Sequence, residues 1–134
     1  MAGNKIITIA RNDYYILEVN HEKNRAYLKL MGYWKKPSDL SDYIKDIKIG
    51  TEKMSDGFTL LVDLTQYNGT STELHHLHVG AQRIAVKAGL SRAAKIFSSN
   101  PLLKLFFDSY SKESGANTMA FKDRSHAERW LDLY

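Results

Sequence analysis

The chain has 134 residues, no cysteine, and 19 Lys and Arg against 15 Asp and Glu, for a formal charge of +4 and a pI near 9.2. That length predicts one domain, residues 1–134, able to bury a real core. The absence of cysteine excludes disulfides and thiolate-held metal or Fe–S centres, and points away from an oxidising compartment. No apolar run approaches the roughly 20 residues that span a bilayer. Ile6, Ile7 and Ile9 alternate with Thr8 instead of forming the apolar stretch of a signal peptide. With no Arg-rich arm or nucleic-acid module, the expectation is a cytoplasmic protein with no nucleic-acid partner.

In chain order, residues 14–19 (YYILEV) are aromatic and β-branched and read as a strand. A polar turn over 20–24 leads into a second strand over 26–31, giving an antiparallel hairpin. After Gly32 and Pro37, Ser38 or Asp39 is placed to cap a helix whose Leu40, Tyr43, Ile44 and Ile47 recur at i, i+3, i+4, i+7. Residues 58–64 (FTLLVDL) are nearly all apolar, as a strand covered on both faces requires, and a polar loop is expected over 65–71. Leu74, Leu77, Ala81, Ile84, Ala85 and Ala88 form one helical stripe that Gly89 ends. Val79 and Val86 fall off that stripe. Residues 92–97 (RAAKIF) read as a third buried strand. Asn100-Pro101 is a helix start, a cap followed by proline at the first helical position. A short strand over 118–121 precedes a helix opened by Asp123 or Ser125, with Ala127, Trp130, Leu131 and Tyr134 on one face. Strand and helix alternate from residue 58, so the fold class is α/β, with the hairpin followed by parallel strand–helix units on one mixed sheet.

This order resembles the STAS domain, the fold of the anti-sigma factor antagonists, and within that group its SpoIIAA-like branch. The residues that carry the resemblance are Leu60-Leu61-Val62-Asp63-Leu64, Ala93-Ala94-Lys95-Ile96-Phe97, and Phe121-Lys122-Asp123 followed by Ala127-Glu128-Arg129-Trp130-Leu131. In the antagonists, a phosphorylatable serine lies in an Asp-Ser-Ser-Gly motif at the start of the helix after the Val-Asp-Leu strand. Here that stretch reads Thr70-Ser71-Thr72-Glu73-Leu74. The motif is absent, and Ser71 and Thr72 are the positions the resemblance leaves for a phospho-switch. The likeness of the SpoIIAA-like branch to lipid-binding folds implies an apolar ligand or a membrane-surface contact.

Ligands of parallel α/β sheets gather at the carboxyl ends of the strands. Two such ends are marked here, Asp63 with Asn68, Thr70, Ser71 and Thr72, and Ser98, Ser99 with Asn100. Both lead into helices whose first N–H groups favour an anion; the same residue types also serve simply as helix caps. From residue 74 to residue 107 the chain has no Asp or Glu, but it carries Arg83, Lys87, Arg92, Lys95 and Lys104. A one-signed surface of that kind attracts anionic groups. Residues 101–110 (PLLKLFFDSY) hold more apolar side chains than one stripe can hide. If Leu102 or Leu103, Phe106 and Tyr110 face inward, Leu105 and Phe107 are left at the sides. An apolar patch rimmed by Arg83, Lys87, Lys95 and Lys104 is therefore expected.

His75, His76 and His78 all come from one helix, with His21 and His126 elsewhere. That is fewer elements than a metal site uses, so neither metal nor cofactor is expected. The functional expectation is a non-catalytic interaction or ligand-sensing module. Its partner would be an anionic or amphipathic small ligand, a protein or a membrane surface, with homodimerisation an open alternative. Leu102, Leu105 and Phe106 would take the apolar part of the ligand. The alternatives are a phospho-switch at Ser71 or Thr72, and a small metal-dependent hydrolase using Asp63 and the histidines.

Overall fold

The computed structural model describes residues 5–97 and 100–133. Six strands lie side by side in chain order: β1 (Ile6–Arg11), β2 (Tyr15–Asn20), β3 (Arg25–Trp34), β4 (Thr59–Thr70), β5 (Arg92–Phe97) and β6 (Thr118–Phe121). β1, β2 and β3 are antiparallel, and β3 to β6 run parallel. The expected hairpin is β2–β3. Its turn is held by Asn20, whose side chain accepts the Lys23 N–H, and by Asn24 at φ 52°, a left-handed conformation that Asn tolerates. β1 adds an edge strand that the sequence reading did not assign.

Helices α1 (Tyr43–Glu52), α2 (His75–Lys87) and α3 (Pro101–Ser114) follow β3, β4 and β5 and pack on one face of the sheet. α4 (Arg124–Leu131) covers the other face with Ala127 and Leu131 against Tyr27, Leu61, Ala94 and Ile96. The first helix starts later than expected. Residues 37–40 form a separate tight turn that buries Leu40, and Asp39 accepts the Tyr14 hydroxyl instead of capping a helix. α1 then lies close on β2 at Gly50, where a Cβ would stand 2.8 Å from the Leu17 side chain. The starts of α3 and α4 are as expected: Asn100 accepts the Leu102 N–H and Asp123 the His126 N–H. The expected contribution of Tyr134 to the last helix lies outside the described residues.

Polar contacts fix α4 to the sheet. The buried Arg25 of β3 donates to Thr59, Glu128 and Asp132, and Arg92 of β5 donates to the Leu131 carbonyl and stacks on Trp130.

The largest departure is in β4. The polar stretch 65–71 is not a loop. β4 continues to Thr70, paired with β3 as far as Trp34. Two irregularities in the β3 pairing each give β4 one extra residue, and they reset which side chains face the helices. Val62 and Leu64 face them before the first, and Tyr67 after it. Among the described residues, no helix is long and apolar enough to cross a membrane.

Candidate functional site

The tail of β4 outruns its neighbour. Among the described residues, β5 reaches Phe97, opposite Leu64, while β4 runs on beside β3 to Thr70. The space beside that tail is bounded by the first two turns of α3, and a cleft of about 150 Å³ opens there. Tyr33, Asn68, Gly69 and Thr70 form its strand wall, and Asn100, Leu102 and Phe106 its helix wall. Its floor is aromatic: Tyr67, Phe107 and Tyr110, all buried. Gly69 has φ 114°, a conformation side-chain-bearing residues avoid, and the Tyr33 ring lies across it at ordinary contact distance. Tyr33 is 50% exposed, Leu102 58% and Phe106 41%. Side chains of this size standing in water together mark a contact surface more than scattered exposure does. Among the described residues, no charged one lines the cleft.

The floor is rigid. The His78 ring lies between Trp34 and Tyr110, stacked on both, and its Nε2 is 2.8 Å from the Tyr67 hydroxyl. Burial, with a small contribution from His75, pulls the His78 pKa down to about 3, so the ring is neutral at physiological pH. Burial also pushes the Tyr110 phenol up to about 12 and the Tyr67 phenol higher still. His75 packs on Phe106 and Tyr110 from α2 and supports the outer wall.

The expected residues divide. Asn68, Thr70, Asn100, Leu102 and Phe106 meet at the cleft. Leu105, 64% exposed, lies on the outer side of α3 and does not line it. The inward face of α3 is Leu103, Phe107 and Tyr110, one residue away from the expected set, so Phe106 turns outward and Phe107 inward. Val79, expected off the stripe, is buried. Ser71 is half-buried, its N–H donating to the Trp34 carbonyl, and Thr72 is exposed on the tight turn that precedes α2. That turn separates the end of β4 from the first turn of α2, so two long helices do not open side by side on this site. Ser98 and Ser99 lie outside the described residues. Asp63 faces the opposite side of the sheet, toward Tyr27 and Arg124, and accepts the N–H and hydroxyl of Thr65. It therefore cannot work with the α2 histidines. Of these, His76 bonds the Glu73 carbonyl through Nδ1 and His78 is committed to the core.

The basic rim is not assembled as expected. Lys95 is inside, 2% exposed, donating to the Phe107 carbonyl at 3.0 Å and to Ser111 Oγ at 2.6 Å. It points inward because it occupies a central β5 position on the helix-covered face. Arg83 pairs with Glu113 and Lys104 with Asp108, two acids just past the acid-free stretch. Lys87 alone of the four is exposed with no ion pair among the described residues. Sequence reading missed Tyr33 as a site residue. The signal that could have found Tyr33 is its place beside Trp34 at the end of an alternating strand, one aromatic for each face.

No family model matches the chain, and no curated protein matches it. Among solved structures, it is similar to an uncharacterised protein of the DUF3478 family with a SpoIIAA-like fold from Shewanella loihica PV-4. That match has a TM-score of 0.54 at 16% identity and covers 96% of this chain and 94% of the other. With a hairpin-led mixed sheet, parallel strand–helix units and a closing helix on the far face, the chain has a SpoIIAA-like fold.

Proposed function

We propose that the protein is a non-catalytic binding module whose site is the cleft between the β4 tail and α3. The observation that carries this reading is the meeting of exposed Tyr33, Leu102 and Phe106 around a preformed aromatic floor at the carboxyl ends of parallel strands. A volume near 150 Å³ is the size at which an apolar cavity takes a single aromatic ring. Asn68, Thr70 and Asn100 sit at the mouth and offer amide and hydroxyl groups to a polar end. The bound group is therefore uncharged and ring-sized, with polar edges. The electrostatic half of the sequence expectation has no part in this reading, because no cation among the described residues lines the cleft and two of the four expected ones are already ion-paired.

The test is an amide-resolved NMR titration with indole as probe. Shifts at Tyr33, Gly69, Leu102 and Phe106 are expected in the wild type. They should be lost in Leu102→Asp/Phe106→Ser, a variant whose changed positions are exposed and so should fold. Raising salt from roughly 50 to 500 mM should leave the affinity within about twofold, since no ion pair forms. Shifts spread elsewhere, or unchanged in the variant, overturn the assignment.

A further inference from the structure

The β4 tail has a second property besides lining the cleft. Strand pairing satisfies a backbone on both flanks only where both neighbours are present. Over Leu60–Leu64 β4 has β3 on one side and β5 on the other. α3 opens at Pro101 behind its Asn100 cap, while β3 accompanies β4 to Thr70. Among the described residues, nothing pairs with the backbone of residues 66–70 on the flank away from β3. The cleft lies on that flank, so it has the place and direction of a missing strand, walled by β4 on one side and α3 on the other. We propose that its occupant is an extended peptide segment of a partner protein, added as a strand beside the β4 tail on the flank opposite β3. One apolar side chain of the segment would enter between Tyr33, Leu102 and Phe106.

This rests on the cleft being the binding site and names what fills it. The chemistry of the segment follows from the walls. They carry no charge, so the segment is uncharged over the residues that pair. The pocket accepts one ring-sized or branched apolar side chain, and in a strand the next one points away, so apolar residues at alternate positions suffice. Main-chain hydrogen bonds supply affinity and the pocket supplies selection, as in other strand additions.

The test uses a capped peptide of about six residues, alternating Thr and Val with one central Phe, and the same peptide N-methylated at alternate residues. N-methylation keeps the side chains and removes backbone donors. Binding with hydrogen-exchange protection of amides within 66–70, weakened at least about tenfold by N-methylation, is the expected result. Equal binding of the N-methylated peptide, or binding without protection there, overturns strand addition. If indole binds the cleft and the peptide does not, the occupant is a small molecule and only this inference falls. If neither binds, the cleft assignment falls with it. Protection of the same amides in the protein alone, accompanied by dimerisation, would give the edge to a second copy and overturn the partner segment.

Discussion

Lys95 sits at the middle of β5 with its amine held by one carbonyl and one hydroxyl and by no carboxylate among the described residues. Burial pulls its pKa down to about 8, with Asp108 acting the other way and Lys104 adding to the fall. An unfolded chain keeps that proton to higher pH, so stability should rise as pH goes from about 8 toward 10. Above that the buried tyrosines, held up by burial, begin to oppose it. At pH 7 the charged amine costs about 3 kcal/mol of stability. Lys95→Met should therefore be more stable at pH 7 by about 1–3 kcal/mol and lose the alkaline rise, which urea melts at several pH values will show. His78 acts at the other end of the scale. Its folded pKa lies below the unfolded one, so its contribution is whole above about pH 6.5 and falls as pH drops toward 3, by up to about 1.4 kcal/mol per pH unit. His78→Phe should flatten that part of the acid limb relative to wild type. It should also cost about 1–3 kcal/mol near pH 7, because the Tyr67 hydroxyl loses its partner.

Among the elements, α3 carries both a structural and a binding duty, and the two occupy different faces. Leu103, Phe107 and Tyr110 close the core, while Leu102 and Phe106 remain for the cleft. Its start depends on the Asn100 side chain, so Asn100→Ala should cost about 1 kcal/mol in urea denaturation. Indole binding should weaken with it if the first turn of α3 frays. Most elements were legible in the sequence for physical reasons. Asn100-Pro101 and Asp123 are local signals, and β5 reads as a buried strand from Ala93-Ala94 and Ile96-Phe97 on either side of Lys95. The β4 tail was not legible because its alternation breaks at Gln66-Tyr67 and Asn68-Gly69 carries turn chemistry. Only pairing with β3, a long-range event, keeps it extended. The site was half legible for the same reason. Leu102 and Phe106 stood out as surplus apolar residues, but their partner Tyr33 lies past Gly32, where the expected strand had stopped at residue 31 and β3 runs on to Trp34. The basic face failed because a charge count along the chain does not see Glu113 and Asp108 one or two turns further on.

On the scale of the whole molecule, the two sheet faces are held by different forces. The face under α1, α2 and α3 is closed by a continuous aromatic and aliphatic core. The α4 face has a small core and leans on Arg25, which reaches carboxylates 103 and 107 positions later in the chain. Arg25→Met should keep the packing of the stem and lose the bonds to Thr59, Glu128 and Asp132. A loss of about 1–3 kcal/mol is expected, readable in urea melts together with faster proteolysis at the C-terminal helix.

That reach across the chain bears on how the protein is made. Arg25 leaves the ribosome well before its carboxylates, which follow 103 and 107 residues later. Until then a guanidinium destined for the interior has nothing to neutralise it, so the far side of the sheet must stay open to water. Closure of that face therefore waits until Glu128 and Asp132 have emerged, and a variant without both carboxylates should close it more slowly without touching the cleft.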